Sequence, residues 1–171
     1  MLHLDGQMLK LEEIARVARD AEAVLLTEEA RQRMEASRRV VERILAEGRT
    51  VYGVNTGFGK LADVRISAEE LGALQLNLVR SHACGVGKPL SPEETRAVLL
   101  LRANVLARGL SGARPVLAET LVRMLNAGVL PVIPERGSVG ASGDLAPLAH
   151  VALCVVGEGE ATLHGQRMAA A

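Results

Sequence analysis

The chain has 171 residues, 20 of them basic and 20 acidic, and no formal net charge. Although 49% of it is hydrophobic, it holds one Tyr, one Phe and no Trp, so its core is expected to be aliphatic, built from Leu, Val, Ala and Ile. The balanced charge offers no basic field for nucleic acid and no acidic tail, and no apolar run approaches the roughly 18 residues that a membrane span needs.

Leu2 to Leu9 reads as a short hairpin turning at Asp5-Gly6. The same stretch lacks the basic start and apolar core of a secretory signal, so a cytoplasmic protein is expected. A helix is expected over Leu11 to Asp20. Thr27 can cap a longer one, with Glu28 and Glu29 complementing its positive end, Gly48 stopping it, and Val40, Val41, Ile44 and Leu45 as its buried stripe. Gly53, Asn55, Gly57 and Gly59 then argue for an irregular, mobile segment from about Thr50 to Arg65.

Ser67-Ala68-Glu69-Glu70 is a capping box for the next helix, which carries Ser81 and His82 near its end, before Gly85 and Gly87. Ser91-Pro92-Glu93-Glu94 is a second box, with Pro at the first helical position, for a helix ending near Gly109. Val98, Leu99, Leu100, Leu101, Val105 and Leu106 cover so much of that helix that it wants partners on several sides. Pro115 to Asn126 reads as a further helix closed by Gly128. Val129 to Gly143 reads as loop with a short strand, and Asp144 begins a helix to about Val156. Cys84 and Cys154 lie in no metal-like spacing, and His82 and Cys84 face different sides of a helix, so no metal site is expected and both cysteines are taken as buried and reduced.

The chemistry lies in Gly137 to His150, GSVGASGDLAPLAH. A phosphate loop would need Lys and Ser or Thr after its last glycine, a nucleophile elbow would need Gly where Asp144 stands, and the glycines at 137, 140 and 143 miss the dinucleotide spacing. Ala141-Ser142-Gly143 has another capacity. With the backbone tightly bent, the Gly143 amide nitrogen can attack the Ala141 carbonyl carbon, because glycine has no side chain in the way. Loss of one water closes an imidazolone ring. Loss of the Ser142 hydroxyl as a second water leaves an exocyclic methylene, a strong electrophile.

This string resembles the prosthetic-group motif of the aromatic amino acid ammonia-lyases. YGVNTGFGKLADVRI, Tyr52 to Ile66, resembles the family's tyrosine loop, and LQLNLVRSHACGVG, Leu74 to Gly87, its substrate-selectivity segment. Within that family, Ser81-His82 has the form of the histidine-specific members. The resemblance implies a mainly α fold: the N-terminal prosthetic-group domain of the lyase fold, with short β-hairpins and the start of a helical bundle. Residues 1–171 would be the N-terminal part of one lyase domain, with a tyrosine loop at about 50–66 and a prosthetic-group segment at 137–150. Leu163 to Met168 echoes Leu4 to Leu9 and is followed by chain end where the first copy is followed by a helix, so residue 171 is not expected to be a natural end.

The resemblance also implies the chemistry. L-histidine would lose ammonia without oxidation to give urocanate, using a methylidene-imidazolone formed from Ala141, Ser142 and Gly143, with no metal or external cofactor. Substrate attack through its amine and through its ring are both open. Tyr52 would take the β-proton, His82 would recognise the imidazole with Ser81 beside it, and Asn55 would add polar lining. Asp144 is a helix cap, an assistant in the dehydration, or both. His150 is expected to have an intrahelical structural role. The family's carboxylate-binding residues lie beyond residue 171, its active site is shared within a homotetramer, and the chain alone is expected to be inactive. The competing expectations are a non-catalytic helical assembly module and an aminomutase using the same electrophile.

Overall fold

The helices begin where the sequence supplies caps. In the computed structural model, which describes residues 1–61, 63–64, 66–140 and 143–171, Thr27 accepts from the Ala30 amide to open α2 (Glu28–Ala46), and Ser67 accepts from the Glu70 amide to open α3 (Ala68–His82). Ser91 and Glu94 form a reciprocal capping box for α4 (Pro92–Ala107). α1 spans Leu11–Arg19. α5 spans Pro115–Ala127 and ends at Gly128, whose left-handed φ of 69° suits a glycine. α6 covers Leu145–Val155. The chain is mainly helical, as the sequence implied.

α4 is the centre of the molecule. It packs against α1, α5 and α2, so the demand for partners on several sides is met. Leu99, Leu100 and Leu106 are fully buried with Leu4, Val17, Met34, Leu121, Leu125 and Ile133, and the core is aliphatic. The apolar surface of α4 is not all covered, however: Leu101 and Val105 remain 44% and 52% exposed.

Buried among these helices, Arg96 has no carboxylate partner among the described residues. Its Nε donates to the Val17 carbonyl at 2.8 Å and its Nη1 to the Leu125 carbonyl at 2.9 Å. Both carbonyls belong to last turns, of α1 and α5, where the helix dipole is negative, and the Leu125 carbonyl also accepts from the Gly128 amide at 3.3 Å. Burial pushes the guanidinium pKa below its usual value. Arg96→Met should therefore destabilise the fold by about 1–3 kcal/mol, since it leaves the buried Val17 carbonyl without its partner while Leu125 keeps only the Gly128 amide. Urea unfolding checks this.

The strands correct several expectations. The first hairpin does not form. β1 (Leu2–Leu4) pairs instead in parallel with β2 (Val24–Leu26), with α1 as the crossover. Parallel pairing places Leu2, Leu4 and Val24 in the core. Gly6, at φ 80°, lies so close to α4 that a Cβ would come within 2.6 Å of the Arg108 nitrogen, so the turn docks on the helix rather than reversing the strand. The second copy of the echo does form a hairpin. β8 (Glu160–Leu163) and β9 (Gln166–Ala169) turn at His164-Gly165, both at positive φ, and β8 also pairs with β4 (Val129–Pro131).

The stretch read as loop also contains β5 (Pro134–Arg136), β6 (Val139–Gly140) and β7 (Gly143–Asp144), and β3 (Val86–Pro89) pairs with β5. These strands are two to four residues long, too short for an alternation signal. The buried residues of α2 are Ala30 and Met34, not the expected stripe: Val40 is 47% exposed and Val41, Ile44 and Leu45 are half-buried, because only the first half of the helix lies over the core. Cys154 is buried as expected, but Cys84 is exposed, since it follows the end of α3.

Candidate active site

Ser81 and His82 end α3, and the helix itself dictates the chemistry of the imidazole. His82 Nδ1 lies 2.8 Å from the carbonyl oxygen of Leu78, one turn back. A carbonyl only accepts, so Nδ1 donates to it, and Nε2 takes no part in this bond. Ser81 Oγ donates to the same carbonyl at 2.9 Å and lies 3.1 Å from His82 Nδ1. Ser81 thus acts on the orientation of His82, with its own proton engaged in the helix. His82 is half-buried and Ser81 exposed.

The prosthetic-group segment lies beside this helix end. β6 and β7 form an antiparallel pair in which Val139 faces Asp144 and Gly140 faces Gly143. Ala141 and Ser142 lie outside the described residues. The backbone on either side of them is therefore drawn together, and Gly143 adds no side chain there. Both features suit a cyclisation between residues 141 and 143. Asp144 directly precedes α6, the position of a helix cap, and its carboxylate too lies outside the described residues.

Three residues join the two segments. The Gly85 amide donates to His150 Nε2 at 3.1 Å. A Cβ on Gly85 would come within 3.0 Å of that nitrogen and 3.1 Å of Pro134, and one on Gly137 would come within 2.5 Å of the Ala146 Cβ and 3.7 Å of the Gly85 Cα. Neither glycine has a positive φ, so close approach is what requires them. A second tie, Arg80 Nε to Glu158 at 2.9 Å, holds the end of α3 to the residues after α6. His150 thus bridges two elements rather than acting within its own helix. The sequence carried no signal for Gly85 or for this bond, since the partners lie 65 residues apart.

Burial lowers the His150 pKa below the usual histidine value. Its contribution to stability is present above the unfolded value, about 6.5, and is lost as pH falls through the lower folded value. Unfolding free energy measured between about pH 5 and 7 should accordingly fall on the acid side, and His150→Gln, which keeps an acceptor but does not titrate, should flatten that component.

Tyr52 lies in the third segment. The loop is irregular as expected, apart from a 3-10 turn at Gly59–Leu61. Tyr52 is 65% exposed and stands edge-on to Phe58, with centroids 5.9 Å apart and ring planes at 73°. No hydrogen bond among the described residues joins it to Ser81 or His82. The loop borders an open groove of about 900 Å³, with Gly53 and Val54 on one side, Leu71 and Gln75 of α3 on another, and Val155 at the end of α6. Asn55, expected as polar lining, lies in the same loop. Its side chain is buried and turned to the loop backbone, accepting from the Val51 amide at 2.9 Å and donating to the Arg49 carbonyl at 2.8 Å.

Comparison with known proteins agrees with this arrangement. The family described as aromatic amino acid lyase matches residues 9–171. A histidine ammonia-lyase of Geobacillus thermodenitrificans is 56% identical over 170 residues, covering 99% of this chain and 34% of the relative. The chain therefore spans about a third of the length of the curated relatives it matches. Among solved structures, histidine ammonia-lyase from Trypanosoma cruzi superposes with a TM-score of 0.90 at 40% identity, covering 99% of this chain and 32% of that one. Tyrosine aminomutase from Streptomyces globisporus gives 0.91 at 38%, with the same coverage. The shared fold does not separate lyases from aminomutases.

Proposed function

The chain belongs to the aromatic amino acid lyase family, and from that premise we propose that it forms the N-terminal third of a histidine ammonia-lyase, which converts L-histidine to urocanate and ammonia. The observation that carries this is the 2.8 Å contact between His82 Nδ1 and the Leu78 carbonyl. With Nδ1 engaged there, Nε2 is the nitrogen left to meet a substrate imidazole. The 56% identity to a histidine ammonia-lyase, against 38% to the tyrosine aminomutase, supports the same assignment.

Once cyclised, Ala141-Ser142-Gly143 would supply an electrophile that activates the substrate for loss of its amine. The residues around it bind, orient and move protons. His82 holds the imidazole, and Ser81 steadies His82 through the shared carbonyl. Tyr52 takes the β-proton as general base, which asks for surroundings that favour the phenolate. Gly85, Gly137 and His150 keep the selectivity helix and the electrophile segment at one separation. Asp144, directly before α6 and beside the tripeptide in sequence, would cap the helix, assist the dehydration, or both. The carboxylate of the substrate is bound by residues outside this chain, and the enzyme works as a homotetramer, as the family resemblance implies.

The test is product analysis. The full-length protein should turn L-histidine into urocanate with one ammonia released per turnover. β-Histidine without ammonia would instead make it an aminomutase, and no turnover at all would leave an assembly module. Specificity gives a further check. Ser81→His with His82→Leu removes the imidazole at 82, and histidine turnover should weaken by roughly ten- to a hundredfold, the loss typical of an unpaired polar group. Competition between histidine and tyrosine reads the shift. Unchanged preference would show that this pair does not recognise the side chain.

A further inference from the structure

We infer that Asn55, with Thr56 beside it, is a positioning residue that sets the direction of Tyr52; this rests on the base role proposed above. In a loop where Tyr52 is 65% exposed, Asn55 and Thr56 are only 3% and 2% exposed. Such burial of polar side chains demands hydrogen bonds, and both residues direct theirs at the backbone around the tyrosine. Asn55 Oδ1 accepts from the amide of Val51, immediately before Tyr52. Thr56 Oγ1 accepts from the amide of Gly53, immediately after it, at 3.4 Å, and donates to the Gly57 carbonyl at 2.9 Å. Asn55 Nδ2 donates to the Arg49 carbonyl, and the Asn55 carbonyl accepts from the Ile66 amide at 3.0 Å, which ties the two ends of the loop together.

The amides on either side of Tyr52 are thus held by two consecutive buried side chains, where no strand ladder holds them. An amide is the group that fits at 55. It offers an acceptor to Val51 and a donor to Arg49 in one plane, whereas a carboxylate would oppose the Arg49 carbonyl and an aliphatic side chain would leave both partners unpaired. Gly53 completes the bend at φ 75°, with open space around a notional Cβ, so backbone conformation is what glycine provides there. Asn55 touches backbone and not substrate. It acts by keeping the phenol within reach of the β-proton, where a misplacement of about 1 Å costs on the order of a hundredfold in rate.

The experiment uses the full-length protein with L-histidine and its β-deuterated form, comparing Asn55→Ala, Thr56→Val, Thr56→Ser and Tyr52→Phe. Asn55→Ala should lower kcat by roughly ten- to a hundredfold while KM stays within about threefold. The isotope effect on kcat should rise above that of the parent, because proton removal alone becomes slower. Thr56→Ser, which keeps the hydroxyl, should retain most of the kcat that Thr56→Val loses. The inference is overturned if kcat falls only in proportion to the folded fraction with the isotope effect unchanged, or if it does not fall. It is equally overturned if KM rises as much as kcat drops, which would make Asn55 a substrate-binding group. Should Asn55→Ala fail to fold, the two Thr56 variants decide on the same readouts. Full turnover by Tyr52→Phe would remove the base role itself, a result distinct from parental kcat in Asn55→Ala beside an inactive Tyr52→Phe.

Discussion

Ser142→Ala in the full-length protein is expected to abolish ammonia release from L-histidine, with a loss on the order of a thousandfold or more, as when a covalent catalytic group is removed. The hydroxyl of Ser142 is the leaving group of the second dehydration, so an alanine there allows at most a ring without the methylene. The surrounding structure should be unaffected. The β6–β7 pair and the packing of Gly137 against Ala146 involve residues on either side of the tripeptide and need no serine hydroxyl. Urocanate formation and a thermal melt separate the two effects. Near-parental turnover by this variant would exclude a Ser142-derived electrophile.

Tyr52→Phe should lower kcat by about 10²- to 10⁴-fold, the range that a positioned general base contributes. Substrate affinity should change little. The ring and its edge-on contact with Phe58 are retained, and only the hydroxyl is lost. Single-turnover kinetics with direct binding measurements make the comparison. A fall in affinity as large as the fall in turnover would turn Tyr52 into a binding group.

Much of the scaffold was legible because helix starts are local chemistry. Thr27, Ser67 and Ser91 each satisfy an amide three residues on, a bond that depends on nothing distant. Gly128 was legible for the same reason. The strands were not. Leu2–Leu4 had an adjacent turn signal, Asp5-Gly6, that suggested a local partner, and only the core decided for Val24–Leu26 across α1. The echoing stretch does form a hairpin at His164-Gly165, where β8 already has β4 as a neighbour.

At the candidate site, residue types pointed to chemistry but not to division of labour. Ser81 and His82 were legible as a pair, whereas their sharing of the Leu78 carbonyl follows from helix geometry. Asn55 was legible as polar, but a sequence does not show that its amide is turned inward to the loop backbone. Gly85 and Gly137 carry no positive φ and gave no sign of the close approach that requires them.

The central claim is that this chain manufactures its own electrophile, and the mass of the full-length protein's peptide spanning residues 137–150 tests it most directly. Cyclisation of Ala141-Ser142-Gly143 predicts a mass lower than the sequence value by two waters, with the deficit confined to residues 141–143 and reduced to no more than a single water in Ser142→Ala. A peptide of full sequence mass, isolated from protein that is turning over L-histidine, would contradict it.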